Sequence, residues 1–96
     1  MYANLVLFTL GQGKRSTAEK IVAQFAPAIK AREGFVASTF LADDAEGTYG
    51  GLLVFDSKEA AQATFEGLFP RLQKALDGIA QVPPKRTLFE VLEPTA

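Results

Sequence analysis

The stretch GTYGGLLVFDSKEAA, Gly47 to Ala61, decides the fold because it joins a strand directly to a capped helix. Its middle, Tyr49 to Phe55, is a run of apolar and small residues bounded by turn residues, which predicts a β-strand. Asp56 and Glu59 have the spacing of a capping box, with Ser57 an alternative N-cap, so a helix begins at once. Both faces of the strand are apolar or small, whereas strands of small antiparallel sheets usually show water one polar face. Something must therefore cover the second face.

The rest of the chain alternates strands and helices in the same way. Apolar runs predict further strands at residues 3–10, 35–42 and 87–92. The sequence STAE, residues 16–19, is typical of a capping box and predicts the start of the first helix there. We expect Pro27 to kink this helix, and Gly67 with Pro70 to kink or divide the second helix.

The element order is β-α-β-β-α-β. It predicts one α+β domain over residues 1–96, a ferredoxin-like sandwich with two helices packed on a four-stranded sheet. Two helices cover only one face of such a sheet. Because the strands are apolar on both faces, we expect a homodimer in which the uncovered sheet faces pack together.

The composition limits the partners of the protein. The 96 residues are 48% hydrophobic, with a net charge of -1, so nothing in the charge predicts binding to nucleic acid or to an anionic membrane. No apolar run approaches the roughly 18–20 residues that span a bilayer. The N-terminal segment lacks the features of a signal peptide, and a cytoplasmic protein is expected.

The residue types that are missing limit the chemistry. The sequence contains no His, Cys or Trp, which excludes His-dependent and Cys-dependent nucleophilic catalysis and an axial His for haem. Without imidazole or thiolate ligands we expect no metal and no cofactor. Any catalysis must use carboxylates, Lys, Arg, Tyr, Asn, hydroxyls, backbone amides or the substrate itself.

Three polar motifs have simple structural interpretations. The sequence GQGKRS, residues 11–16, lacks the spacing of a phosphate-binding loop and is taken as a loop that leads into the helix. The alternative is an anion site at the start of the helix, helped by Lys14 and Arg15. The acidic residues of the loop at 43–46 are taken as a solvated turn, because the spacing of a calcium-binding loop is absent. Arg86 and Glu90 lie on one side of the last strand and are predicted to form a surface ion pair.

The aromatic residues are open to two interpretations. The sequence has eight Phe residues, and six of them fall at positions where a core is expected: Phe8, Phe25, Phe35, Phe55, Phe65 and Phe89. They either pack as an ordinary core or line a pocket for a planar apolar ligand. Gly50 and Gly51 favour the pocket slightly, because two missing side chains in a strand leave room beside Tyr49.

Three segments carry a family resemblance that extends over nearly the whole chain. They are FAPAIKAREGFVAS (Phe25 to Ser38), GGLLVFDSKEAAQATFE (Gly50 to Glu66) and LFEVLEP (Leu88 to Pro94). With these segments the sequence resembles the dimeric α+β barrel superfamily and, within it, the antibiotic biosynthesis monooxygenase group, most closely the YdhR-like monooxygenases. The resemblance implies a homodimer with facing sheets and a ligand cleft in each subunit between sheet and helices.

The resemblance also implies a chemistry. Well-known members of the group oxidise polycyclic phenols to quinones with oxygen and no cofactor, the substrate anion supplying the electrons. This chain has Phe55 where those enzymes carry Trp, and Gly51 where they carry Asn. The haem-degrading relatives use a His, which is absent here.

The sequence thus predicts a cofactor-independent, monooxygenase-like protein acting on a small, aromatic metabolite. The alternatives are a non-catalytic binding protein for an apolar metabolite and a structural dimerisation module. An enzyme needs a polar group in its pocket, for which Asn4, Ser38, Thr39 and Tyr49 are candidates. The predicted ligand-binding residues, taken together, are Asn4, Phe8, Tyr49, Gly51, Phe55, Phe65 and Phe69.

Overall fold

The computed structural model describes residues 1–92, so the last two residues of the segment Leu88–Pro94 lie outside the described part. In chain order the elements are β1 (Tyr2–Thr9), α1 (Arg15–Lys30), β2 (Phe35–Asp43), β3 (Thr48–Phe55), α2 (Lys58–Leu76) and β4 (Lys85–Glu90). The four strands form one antiparallel sheet in the order β2-β3-β1-β4. The predicted ferredoxin-like β-α-β-β-α-β architecture is confirmed.

The two central strands define which side chains face the helices. In the pairing of β1 with β3, Asn4 lies opposite Leu53 and Val6 lies opposite Gly51. Because side chains alternate along a strand, these positions share one face, and both helices pack on it. The core between sheet and helices is made of one cluster of buried residues: Phe8, Leu10, Ala18, Ile21, Phe25, Ile29, Tyr49, Leu53, Phe55, Ala61, Leu68 and Leu76.

The N-terminus of α1 differs from the prediction. The helix begins at Arg15, its N-cap is Lys14, and no side chain forms a capping hydrogen bond there. The capping box predicted at residues 16–19 was therefore wrong, because Ser16 already lies inside the first turn and not at its boundary. The helix continues through Pro27 to Lys30.

The N-terminus of α2 follows the alternative prediction. Ser57 is the N-cap, and its hydroxyl accepts a hydrogen bond of 3.1 Å from the backbone N–H of Ala60. The helix runs through Gly67 and Pro70 as one element of 19 residues. Of the two predicted alternatives, a kink or a division, the division into two helices was wrong. Within residues 1–92, no helix combines the length and apolar character needed to cross a membrane.

A β-bulge changes the facing of β2. The register shifts between Phe35 and Ala37, so Phe35 pairs with Phe55. The rings of these two residues meet edge to face at 6.2 Å between centroids. The extra residue breaks the strict alternation. As a result Phe35 joins the helix-covered side of the sheet, while Ala37 pairs with Val54 on the other side.

The opposite face of the sheet, here called the open face, is uncovered in the single chain. It includes three exposed, large apolar residues, Leu41, Leu52 and Phe89. They belong to β2, β3 and β4, and Leu5 of β1 lies between Leu52 and Thr87 on the same face. Phe89, which we expected in the core, is 48% exposed here because its position in β4 alternates away from the helices.

Candidate functional site

A cavity of about 80 Å³ lies between the sheet and the two helices and is partly open to solvent. On α1, Ile21, Phe25 and Ile29 follow each other at intervals of four residues, so one face of the helix lines the cavity. Val22 of α1 also lines the cavity. The remaining lining residues come from the strands and α2, and they are Asn4, Val6, Phe8, Phe40, Gly50, Gly51, Leu53, Thr64, Phe65, Leu68, Phe69 and Leu72. Apart from Asn4 and Thr64, the lining side chains are apolar.

The volume and shape of the cavity limit what it holds. A space for one water molecule measures about 10–15 Å³ on the same scale, so the cavity has room for roughly one six-membered ring. Phe65 and Phe69 stand on one wall with their ring centroids 4.6 Å apart. A flat apolar ring is the shape that such walls accept best.

Asn4 is the buried polar group on the sheet side of the cavity. Its side chain is 1% exposed. The amide Nδ2 donates to the carbonyl oxygen of Ala61 at 2.9 Å, and the amide Oδ1 accepts from Arg86 Nε at 2.9 Å. Because one neighbour is an acceptor only and the other a donor only, these bonds fix the orientation of the amide. The second hydrogen on Nδ2 has no acceptor among residues 1–92.

Arg86 is the functional group that sequence reasoning missed. The predicted ion pair with Glu90 was wrong, because Arg86 turns towards α2 instead. Its Nη2 donates to Gln62 Oε1 at 2.8 Å, and its Cζ lies 4.2 Å from the centroid of the Phe65 ring. The spacing within β4 cannot reveal this arrangement, because it depends on the pairing of β4 with β1, which sets Arg86 beside Val6.

The charge of Arg86 alters the polarity of the cavity. Desolvation by burial lowers the pKa of Arg86, but an arginine remains protonated at any ordinary pH. The cation donates to Oδ1 of Asn4, and hydrogen bonds in a chain polarise one another. The second N–H of Asn4 is therefore a strengthened donor.

Gly51 and Phe40 shape the side of the cavity near the sheet edge. A Cβ atom at Gly51 would lie 3.0 Å from Cδ1 of Phe40, so the missing side chain is what lets this ring fold over the strand. Gly50 has a different role, because a Cβ atom there would run into the carbonyl oxygen of Val6. Only Gly51 lacks a side chain on the cavity side, and the ring of Phe40 occupies part of that space.

The structure brings together five of the seven predicted ligand-binding residues. Those that line the cavity are Asn4, Phe8, Gly51, Phe65 and Phe69. Phe55 does not line it, because its ring is fully buried against Phe35. Tyr49 lies opposite Phe8 but borders a separate surface groove between α1 and β2. Of the other polar candidates, Ser38 pairs with Leu53 on the helix-covered side, and Thr39 pairs with Leu52 on the open face.

The hydroxyl of Tyr49 belongs to a polar cluster at the end of the sheet. It donates to Asp44 Oδ1 at 3.0 Å, and Arg15 Nη1 donates to Asp44 Oδ2 at 2.9 Å. The hydrogen bonds from Arg15 and then Tyr49 lower the pKa of Asp44. Burial, followed by the bond to Asp44, raises the pKa of Tyr49. Residues 1–92 hold no group of three or more His, Asp or Glu suited to a metal ion.

Comparison with known proteins identifies the fold. No family model matches the sequence, and no curated protein matches it significantly. Solved structures do match. A cofactor-independent oxygenase from Streptomyces nogalater has a TM-score of 0.76 and 22% identity, over 98% of this chain and 95% of that one. A structure named as an antibiotic biosynthesis monooxygenase has a TM-score of 0.75 and 9% identity, over 97% of this chain and 100% of that one.

The chain has the fold of the antibiotic biosynthesis monooxygenases. A third similar structure is a monooxygenase from Streptomyces coelicolor, solved in complex with nanaomycin D. It has a TM-score of 0.72 and 20% identity, over 98% of this chain and 92% of that one. At these identities the likeness establishes the fold, and the chemistry rests on the site.

Proposed function

We propose that this protein is a cofactor-independent monooxygenase that oxidises a small, electron-rich phenol bound in the cavity between sheet and helices. The observation that carries the proposal is the buried Asn4–Arg86 pair beside an otherwise almost wholly apolar cavity. The apolar walls suit the ring of a phenol. The polarised amide suits its oxygen, and most strongly the oxygen of the phenolate.

The proposed reaction uses the substrate as the source of electrons. The phenol loses its hydroxyl proton, and the resulting phenolate gives electrons to dioxygen. One oxygen atom forms a bond to a ring carbon and becomes the second carbonyl of a quinone, while the other oxygen atom leaves as water. The ring loses four electrons in total and dioxygen gains four, so no external reductant is needed.

The residues of the chain act on the first of these steps. The N–H of Asn4, backed by the charge of Arg86, lowers the pKa of the bound phenol because it stabilises the anion more than the neutral form. The aromatic wall of Phe65 and Phe69 holds the ring in one orientation. The apolar lining keeps water away from the anion, which strengthens the hydrogen bond from Asn4.

The similar structures support the reaction class without deciding the substrate. One is named as a cofactor-independent oxygenase, and another was solved with nanaomycin D bound. Oxygenation without a cofactor also agrees with the choice of residues in this chain, since phenolate stabilisation needs a cation and an amide and requires neither His nor Cys.

Oxygen uptake by Arg86 variants tests the proposal. With an electron-rich phenol of a single ring as substrate, we expect the wild type to consume oxygen and to form the quinone, which takes its new oxygen atom from isotope-labelled dioxygen. In Arg86→Met the apolar stem remains beside Phe65 but the charge is lost. Because a charged hydrogen bond contributes about 1.5–3 kcal/mol, the rate should fall roughly 10-fold to 150-fold.

The matched control is Arg71→Met, the same exchange at an exposed position of α2. It should retain the wild-type rate. Equal rates in Arg86→Met and wild type would contradict the proposed role of the Asn4–Arg86 pair. Binding of the phenol without oxygen uptake by the wild type would favour the second candidate, a binding protein. The observation that favours this candidate is the absence of any carboxylate or amine among the cavity-lining residues.

We further propose that two chains form a homodimer through their open faces. Four strands about 4.8 Å apart give a face of roughly 400 Å² in projection, which is large for an uncovered apolar patch on a monomer. The exposed residues Leu41, Leu52 and Phe89 come from three different strands, so the patch extends across the sheet. A second copy offers the same apolar surface and needs no other partner.

A further inference from the structure

We infer that Thr64 is a ligand-binding residue that selects rings carrying oxygen at two neighbouring positions, such as catechols and their relatives. The inference rests on the proposed function, because it concerns the same cavity. It adds a second polar contact to the one made by Asn4, and it narrows the ligand from a phenol to an ortho-dioxygenated ring.

The hydroxyl of Thr64 has no partner in the chain. The residue is 2% exposed and lines the cavity, and its Oγ1 makes no hydrogen bond within residues 1–92. Buried hydroxyls are normally hydrogen-bonded, since leaving one unpaired destabilises the folded state. Valine has nearly the same shape and would avoid this cost. A ligand oxygen is the partner that would satisfy the hydroxyl.

Thr64 lies on α2 about one turn beyond the backbone group that Asn4 contacts. Asn4 donates to the carbonyl of Ala61, and Thr64 follows Ala61 by three residues. Asn4 and Thr64 line the same cavity. A ligand that contacts both groups needs two oxygen atoms, and adjacent carbons of one ring carry two oxygen atoms closest together.

The two donors also differ in the oxygen that they suit. Asn4 is polarised by Arg86 and favours the oxygen that carries negative charge. Thr64 is a neutral hydroxyl that both donates and accepts, so it suits the neutral hydroxyl or carbonyl at the neighbouring position. A singly deprotonated catechol has both kinds of oxygen side by side.

Binding of catechol and phenol to matched variants tests the inference. Calorimetry without oxygen measures both affinities for wild type, Thr64→Val and Thr64→Ser. We expect the wild type to bind catechol about 3-fold to 10-fold more tightly than phenol, the gain of one neutral hydrogen bond. Thr64→Val should lose this preference and keep its phenol affinity. Thr64→Ser retains a hydroxyl and should keep the preference.

Thermal unfolding without ligand provides a second readout. Because Thr64→Val removes an unpaired buried hydroxyl, its melting temperature should equal or exceed that of the wild type. If the hydroxyl of Thr64 instead stabilised the fold, Thr64→Val would melt at a lower temperature than the wild type. That result would overturn the inference.

The outcomes separate the two proposals. Phenol binding with no preference for catechol, or a preference that survives in Thr64→Val, overturns the inference and leaves the proposed function standing. Failure of the wild type to bind either phenol or catechol overturns both. A preference that only the hydroxyl-bearing variants show supports both.

Discussion

Arg86 polarises the amide of Asn4 although it is not among the residues that line the cavity. Its guanidinium lies behind Asn4 and beside Phe65, and it acts on a ligand through the amide. This indirect arrangement keeps the cation hydrogen-bonded on two sides while the cavity remains apolar. A charged group placed directly in the cavity without partners would carry a far larger desolvation cost.

At the same scale, Gly51 controls the space available to a ligand. In Gly51→Leu the new side chain must displace the ring of Phe40, whose Cδ1 lies only 3.0 Å from the Cβ position. Overpacking of this kind costs about 1–3 kcal/mol of unfolding free energy. We expect weaker phenol binding by calorimetry, with an unchanged particle mass because the open face is untouched. Unchanged phenol affinity would show that the ligand lies elsewhere.

Tyr49 should titrate at unusually high pH. Burial and the hydrogen bond to Asp44 both favour the neutral phenol, so its pKa is raised. Since the folded state holds this proton more tightly, the stabilisation is fully present below about pH 10 and is lost as the pH rises through the folded pKa. In a Tyr2→Phe background, ultraviolet absorbance reports Tyr49 alone.

Asp44→Asn provides the comparison for this titration. Without the carboxylate, the pKa of Tyr49 should fall part of the way towards its ordinary value, because burial remains the larger cause of the shift. Identical titration curves with and without Asp44 would show that the hydrogen bond of 3.0 Å has no influence on the phenol in solution.

At the scale of elements, the two helix N-termini form an internal comparison. Ser57 caps α2 through Ala60, whereas Ser16 of α1 makes no capping bond. Loss of a capping hydroxyl costs typically about 1 kcal/mol, so Ser57→Ala should lower the unfolding free energy by this amount. Ser16→Ala should change it by no more than a few tenths, since alanine is the better helix former. Chemical denaturation measures both, and equal losses would contradict the assignment.

The sequence predicts whole strands better than it predicts helix boundaries and bulges. Runs of apolar and small residues predict the strands β1 and β3, because the pattern extends over the whole element. A capping motif consists of one or two residues, and STAE fits equally well at a boundary or one position inside it. The bulge at Phe35 is invisible for a related reason, since it depends on pairing with β3 and not on the local sequence of β2.

The candidate site was predictable only in part. The aromatic and glycine positions that line the cavity follow from strand alternation and helix spacing. The contacts of Arg86 with Asn4 and Gln62 join residues that are 82 and 24 positions apart in sequence, and no local pattern reports them. The sequence also cannot predict that the hydroxyl of Thr64 lacks a partner, because threonine on a helix usually finds one in the preceding turn.

At the scale of the whole molecule, the two faces of the sheet have different proposed roles, ligand binding and assembly. The helix-covered face holds the cavity, and the open face offers an apolar surface to another chain. Because side chains alternate along the strands, apart from the bulge in β2, a substitution on one face leaves the other face nearly unchanged. Ligand binding and assembly should therefore respond to different mutations, provided that the monomer stays folded.

Leu52 tests the assembly at the centre of the open face. It lies on β3, an inner strand of the sheet, and is 36% exposed in the single chain. Light scattering of the wild type should give twice the chain mass of 10.3 kDa. Leu52→Glu would bury a charge between two apolar sheets, which costs several kcal/mol unless the chains separate. We expect this variant to scatter as a folded monomer at micromolar concentration.

Ile79→Glu is the matched control, because Ile79 is also large, apolar and exposed, at 45%, but lies after α2 and outside the sheet. It should leave the dimer intact. A stable interface buries about 1,200–2,000 Å² of accessible surface in total. Each open face has a projected area of roughly 400 Å², and its accessible area is larger because the side chains protrude from the sheet. Two such faces therefore reach the required range. If Leu52→Glu and Ile79→Glu both remained dimeric, the chains would associate through another surface. A wild type that is monomeric at the same concentration would leave the open face exposed to water, and the proposed homodimer would have to be abandoned.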